Sequence, residues 1–370
     1  MRHPSRMSRS SELVLIAVVA LVAAACVSVA PTQLSVGSST PASSVSRLAG
    51  PTTSVAASSP GSQPTAGPSF GPTSAGSTAT SGSGTPADPS GTRPWLAFRP
   101  RGAGAISKIT LPAPWVGGTR DRAQVWIYLP PGYGTAGRDY PVIYEVPWSY
   151  TSWSKIGIAH TLDGLADTGI IPGHIVAFVS EGGGPYPDGE CIDTPDHRES
   201  FESYLTGTVV PYVDGHYRTV ASAAGRSLLG MSQGGFCSAM LELRHPDLFA
   251  TAISFSGYFV AAIRSSETAN ASHAYDGNQA AIRAYSPMAI VGTVPPDLRG
   301  SLLFELSADS NDSFYGRQYR AFNGVLRAAG IHVALFPTPY GHGWTAPRVQ
   351  LLQVLATLAT HEVALGLYRP

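Results

Sequence analysis

From Arg93 onward, short apolar runs bounded by glycine and proline alternate with segments of helical period. The runs AISKITL, AQVWIYLPPGYG, YPVIYEVPW, HIVAFVSEGGG, RSLLGMS, FATAISFSG, GSLLFELSAD and IHVALFPTPYGHGW read as strands from their β-branched, aromatic and alternating residues. Between and after them lie helical patterns. In DHRESFESYLTGTVVPYVDGHY, Phe201, Tyr204 and Leu205 share a face. GGFCSAMLELRHP is a helix that Pro246 helps to end. YGRQYRAFNGVLRAAG spaces Tyr319, Phe322 and Leu326 helically and has Gly330 just past its end. PRVQLLQVLATLATHEVALG closes the chain, and the stretch 258–299 is less regular. This alternation implies one α/β domain over residues 93–370, with a mainly parallel central sheet and helices on both faces. The continuous apolar runs VIYEV, IVAFV and LLFEL suit strands buried on both faces. Ligands of such sheets bind beyond the carboxyl ends of the strands.

What precedes that domain reads differently. MRHPSRMSRS is a basic segment, followed by LVLIAVVALVAAAC, an apolar stretch of about 14 residues ending in small side chains. That length fits the core of an export signal and is short for a membrane span. Residues 1–26 are therefore expected to be a signal peptide. AAAC is similar to a bacterial lipobox, in which the cysteine, here Cys26, is lipidated and becomes the new N-terminus. Ala23 departs from that pattern, which prefers leucine there. The alternative is ordinary cleavage near SVA, with Cys26 discarded. Residues 27–92 are serine, threonine, proline, glycine and alanine with almost no charge, too few apolar groups to offset the entropy of ordering. They are expected to form a disordered tether.

The formal net charge is zero, which argues against nucleic acid as a partner. Membrane attachment is expected only through a lipidated Cys26. Three cysteines are present. With Cys26 lipidated or removed, Cys191 and Cys237 are expected to pair in an exported chain. The alternative is a buried free Cys237. No clustered His, Cys and Asp set has metal-ligand spacing, and no cofactor is expected.

GMSQG, residues 230–234, fits G-x-S-x-G. In a chain with 40 glycines and abundant serine, chance supplies on the order of a few tenths of one such match. Its setting adds weight, because SLL precedes and GFCSAMLELR follows, and a nucleophile elbow needs a strand before and a helix after. Ser232 would then be a nucleophile at a helix N-terminus, where free N–H groups can hold an oxyanion. α/β-Hydrolases carry their triad in the order Ser, acid, His. His245, His273, His332, His342 and His361 follow Ser232, and only His342 sits in a glycine-flanked loop, YGHGW, after the last strand. It is the expected base. Asp309 and Asp312, in SADSND after the strand LLFELS, are both candidates for the acid, and both residue types also favour turns and caps.

VWIYLPPGY, YPVIYEVPW, YLTGTVVPYVDGHYRT, GMSQGGFCSAMLELRHPDLFATAISFSG and PYGHGW together resemble the esterase D-like branch of the α/β-hydrolases, over about Gln124 to Trp344. Feruloyl and acetyl-xylan esterases, S-formylglutathione hydrolases, enterobactin esterases and mycolyl-transferring surface antigens belong to it. The resemblance implies an α/β-hydrolase fold and favours Asp312, in NDSFY, as the acid over Asp309. It implies an oxyanion hole formed by the backbone N–H of Gln233 and a second donor after VIYEV. Many relatives have a His-Gly-rich run there. This chain has PWSYTSW, leaving Trp148 or Ser149 as the donor and bringing Trp148, Tyr150 and Trp153 near the pocket or packed under the loop.

The expected activity is hydrolysis of a carboxylic ester through a Ser-His-Asp triad and an acyl-enzyme by an exported or surface-anchored chain. One alternative is acyl transfer to a sugar or lipid alcohol on the cell envelope. Another is a non-catalytic binding module on the same fold. The stretch 258–299 and the loop SEGGGPYPDGECIDTPDHRES are expected to shape the pocket rim.

Overall fold

A computed structural model describes residues 100–368, apart from 136, 187 and 263–272. The expected signal, Cys26 and the tether lie outside the described residues. Eight strands form one sheet: β1 (Ala105–Pro112), β2 (Arg122–Leu129), β3 (Val142–Glu145), β4 (Ile175–Val179), β5 (Arg226–Met231), β6 (Thr251–Phe255), β7 (Leu303–Asp309) and β8 (His332–Thr338). Their order is β1-β2-β4-β3-β5-β6-β7-β8. β1 and β2 pair antiparallel, β2 meets β4 antiparallel, and β3 through β8 run parallel.

The helices are α1 (Tyr150–Ser154), α2 (Ile158–Asp167), α3 (Phe201–Tyr204), α4 (Val210–His216), α5 (Gln233–Arg244), α6 (Gln279–Tyr285), α7 (Pro287–Ile290), α8 (Tyr315–Ala328) and α9 (Thr345–Ala364). A π-helical turn, Leu205–Val209, joins α3 to α4, so the amphipathic segment starting at Phe201 continues through Pro211 with one wide turn. α1 and α2 fill the crossover between the parallel strands β3 and β4, a connection that needs a helix.

Side-chain alternation sorts the strands' residues onto two faces. Val142, Tyr144 and Leu228 pack with Phe236 and Met240 of α5 and with Leu205 and Val213. Their neighbours Ile143 and Leu229 pack oppositely, with Leu162 of α2 and Val354, Leu355 and Leu358 of α9. Toward the β7 edge, Phe304 and Leu306 meet Phe322 and Leu326 of α8. Phe322 is fully buried, stacked on Phe259 at 4.0 Å and edge-on to Phe304 at 5.7 Å. Each such side chain stabilises the fold by about 1.5–3 kcal/mol. No helix of the described residues is long and apolar enough to cross a membrane.

Cys191 and Cys237 form a disulfide across 46 residues of chain, tying the loop after β4 to α5. Closing a loop of that length removes about 4 kcal/mol of unfolded-state entropy. The Cys191→Ala/Cys237→Ala double variant is expected to unfold about 3–4 kcal/mol more easily in guanidinium. An unchanged midpoint, or reactive thiols at both positions in denatured, unreduced protein, would contradict the pairing.

Candidate active site

β5 ends at Met231 and α5 begins at Gln233, so Ser232 alone makes the turn between them. Its backbone stands at φ 61° and ψ −116°, a conformation costly for a residue with a Cβ. Neighbours hold it there. Ser232 N–H donates to Phe255 O at 2.8 Å, and the Trp148 indole N–H donates to Met231 O at 2.8 Å. The flanking glycines permit the close approach. A Cβ at Gly230 would lie 2.2 Å from Gly234 O, and one at Gly234 would lie 2.2 Å from Val146 O. Gln233 is the first residue of α5, so its N–H has no acceptor within the helix and points out of the N-terminus.

His342, in the loop between β8 and α9, places Nε2 2.8 Å from Ser232 Oγ. The imidazole lies against the ring of Tyr315, 4.2 Å between centroids and 18° from parallel. Both candidate acids bear on this pair. Asp312 Oδ1 accepts from Phe314 N at 2.8 Å and Tyr315 N at 2.7 Å, capping the start of α8 and holding the tyrosine that stacks on His342. Asp309 Oδ1 accepts from Asn311 N at 2.9 Å, and its Oδ2 accepts from Gly341 N at 3.0 Å, next to His342 in the chain. Two other histidines are engaged elsewhere. His245 bonds Glu202 at 2.7 Å, and His361 bonds Ser301 O at 3.0 Å.

A cavity of about 340 Å³ opens over Ser232, lined by Trp148, Ser152, Met231, Ser232, His342, Gly343 and Trp344. Trp148 thus borders the pocket. Trp153 instead lies in the core, edge-on to Trp344 at 5.2 Å. Tyr150 packs on Phe178 at 5.2 Å and Trp126 at 5.6 Å. Ser149 precedes α1 and is not part of the lining. Trp344 and Ser152 are wall residues that sequence reasoning did not single out. The only signal was the tryptophan's place in YGHGW, and Ser152 carries none. None of the described residues of the stretch 258–299, nor of the loop after β4, lines this cavity. A larger groove of about 540 Å³ beside Leu243, Pro246 and Leu298 is remote from the Ser232–His342 pair. Among the described residues, no group of three or more His, Cys, Asp or Glu side chains could hold a metal.

Several carboxyls are buried in this part of the fold. Glu145, the last residue of β3, is fully buried, and burial pushes its pKa well above the carboxylate range. Its carboxyl lies beside the Trp148 N–H and the Trp153 indole without a formed hydrogen bond to either. Glu181 Oε1 accepts from Cys191 N at 2.6 Å and Oε2 from Gln233 Nε2 at 2.9 Å. Burial, and then the nearby Glu199, raise its pKa.

Burial pushes Glu199 up to about 8 and Glu190 up to about 7. Glu190 sits among Tyr258 OH, Tyr275 OH and Ala262 N–H. Both carboxyls keep their protons when folded at pH values where an unfolded carboxyl has lost them. Their contribution is complete below the ordinary carboxyl range, falls as pH rises above it, and is gone once pH has passed about 7 for Glu190 and about 8 for Glu199. The melting temperature is expected to fall between pH 5 and pH 8 on account of these groups, and Glu199→Gln should flatten that fall. Equal slopes in thermal melts of variant and wild type would contradict it.

The sheet order and the strand–serine–helix turn define an α/β-hydrolase fold. Residues 118–357 match the family described as "Putative esterase", and the chain belongs to that family. It is 29% identical over 154 residues to an endo-1,4-beta-xylanase/feruloyl esterase of Xylanibacter ruminicola, covering 40% of this chain and 20% of that protein. It is 27% identical over 132 residues to an esterase of Mycobacterium tuberculosis, covering 35% of this chain and 28% of that protein. The alignments therefore span less than a third of the length of these relatives. Among solved structures, a ferulic acid esterase superposes with a TM-score of 0.58 at 17% identity, over 70% of this chain and 99% of that one. At that identity, the likeness carries the fold.

Proposed function

We propose that the chain is an exported serine esterase that cleaves a carboxylic ester through an acyl-enzyme on Ser232. The observation that carries this reading is the 2.8 Å contact between His342 Nε2 and the hydroxyl of a serine on a strained elbow. Ser232 Oγ attacks the ester carbonyl while its proton passes to His342 Nε2. The carbonyl oxygen, now negative, is held by the Gln233 N–H and by a second N–H from the loop after β3, that of Trp148 or, since the Trp148 N–H lies beside the Glu145 carboxyl, that of Ser149. His342 returns the proton to the departing alkoxide, leaving acyl-Ser232. Water then attacks by the same route in reverse.

Asp312 is the acid in this mechanism. The two carboxylate oxygens of Asp309 are both taken by backbone N–H groups, of Asn311 and Gly341, which suits a residue that shapes the turn. Asp312 spends Oδ1 on the start of α8, so Oδ2 is the oxygen that would accept His342 Nδ1–H. That bond would hold the imidazole's tautomer and stabilise its protonated form.

The walls at Trp148 and Trp344 suit an ester with an aromatic or extended apolar limb. The feruloyl and ferulic acid esterases among the relatives and solved structures support the same substrate class. Residues 1–26 and the Cys191–Cys237 disulfide support export, with Cys26 as the lipid anchor and 27–92 as the tether. Incubation with p-nitrophenyl and aryl-acyl esters, with and without a carbohydrate acceptor, tests the reading. Release of free acid in both conditions is expected. Formation of acylated sugar as the main product would establish the transferase alternative, and absence of turnover on every ester would overturn the enzyme reading.

A further inference from the structure

Gln233 has two attachments to the proposed chemistry. Its N–H is the proposed first oxyanion donor, and its side chain, 5% exposed, runs back from the pocket to the carboxyl of Glu181. We infer that Glu181 is a positioning residue for the oxyanion site, acting through its hydrogen bond to Gln233 Nε2. The inference rests on the reading of Ser232 as nucleophile.

A backbone at φ 61° relaxes unless its neighbours over-determine it. On the strand side of Ser232, the Trp148 indole grips Met231 O, and Phe255 O grips the serine's own N–H. On the helix side, the side-chain restraint on the next residue is Gln233 Nε2 to Glu181 Oε2, at 2.9 Å. The amide's other atom, Oε1, is buried without a partner, so the whole hold on this side chain passes through Glu181.

The far side of Glu181 is itself fixed. Its Oε1 accepts from Cys191 N at 2.6 Å, and Cys191 is bonded to Cys237. Gln233 and Cys237 stand four residues apart on α5, on one face of the helix. The loop after β4 therefore reaches the N-terminal end of α5 twice, at Cys237 by the disulfide and at Gln233 by Glu181. The disulfide and the hydrogen bonds of Glu190 to Tyr258, Tyr275 and Ala262 N–H already fasten the loop. What the second contact adds is restraint on residue 233, whose N–H is proposed to meet the oxyanion. A fully buried carboxyl next to Glu199 is a costly way to fill space that an apolar side chain would fill more cheaply. The polar contact, and with it the orientation of Gln233, is what that cost secures.

The test uses the full chain, steady-state ester hydrolysis and an arylboronic acid, whose tetrahedral adduct with serine places an oxygen in the oxyanion site. Glu181→Leu and Gln233→Leu are expected to lower kcat at least tenfold, toward the ~10²–10³ that loss of one donor costs, with KM within about twofold. Boronate affinity should fall in parallel. Glu181→Gln should retain activity within about threefold, because its amide can accept from Cys191 N–H and donate to Gln233 Oε1 once the Gln233 amide turns over. Folded leucine variants with unchanged kcat and boronate affinity would overturn the inference. So would a loss of kcat that boronate affinity does not follow, which would mark a merely structural role. If Glu181→Leu does not fold, Gln233→Leu decides, since it leaves the disulfide loop intact. Full activity in Ser232→Ala would instead sink the nucleophile assignment, and that failure is read from a different variant.

Discussion

Ser232→Ala and His342→Ala are each expected to lower kcat by about 10⁶, to near the background rate of the ester. The two losses should be of similar size and should not add in the double variant, because a serine hydroxyl without its base, or a base without its hydroxyl, leaves the same deficient site. Stability should change little. The Ser232 hydroxyl contacts His342 at the pocket mouth, and neither side chain belongs to the buried core. Removing the hydroxyl leaves the Ser232 N–H on Phe255 O and the packing of Gly230 against Gly234 in place. KM should stay within a few-fold, since Trp148 and Trp344 remain as pocket walls. Initial rates on a p-nitrophenyl ester, beside a thermal melt of each variant, check this. A folded Ser232→Ala protein with wild-type turnover would remove the mechanism.

The acid gives the next largest effect. Asp312→Asn is expected to cost about 10⁴ in kcat, because an amide at that position offers a donor where His342 Nδ1–H needs an acceptor, and the imidazole is driven to the wrong tautomer. The amide oxygen can still accept from Phe314 and Tyr315 N–H, so α8 should keep its start. Asp309→Asn should cost far less. Its bonds to Asn311 N and Gly341 N shape the turn that carries His342, and an amide can keep one of them. The two variants compared side by side on one substrate decide between the carboxylates. A crippled Asp309→Asn with an active Asp312→Asn would reverse the assignment.

All eight strands were legible in the sequence, the parallel ones from continuous apolar runs and β1 and β2 from their alternation, and most of the runs end in glycine or proline. So were the helices at Gln233, Tyr315 and Thr345, whose apolar spacing is helical. The short helices α1, α6 and α7 were not, since helices of a few residues carry too little periodicity to read. α2 went unread although it is longer, because its apolar face is diluted by glycine, threonine and aspartate in IAHTLDGLAD. For the site, chain order and loop position pointed to Ser232 and His342, which the structure brings within 2.8 Å of each other. The residues alone left Asp309 and Asp312 both open because both types cap and turn, the resemblance favoured Asp312, and their different backbone hydrogen bonds support that proposal. The division of labour among the tryptophans was equally hidden. Trp148 borders the cavity and Trp153 fills the core five residues later, and that depends on the turn into α1 rather than on composition. Glu181 has no motif at all, and its reach to Gln233 spans 52 residues of sequence.

The central claim is that Ser232 is activated as a nucleophile by His342. Covalent labelling of the folded chain with a fluorophosphonate probe, followed by peptide mapping, tests it most directly. The account predicts one adduct per chain, on Ser232, lost in Ser232→Ala and formed far more slowly in His342→Ala. Labelling that persists in Ser232→Ala, or that maps to any other residue, would contradict it.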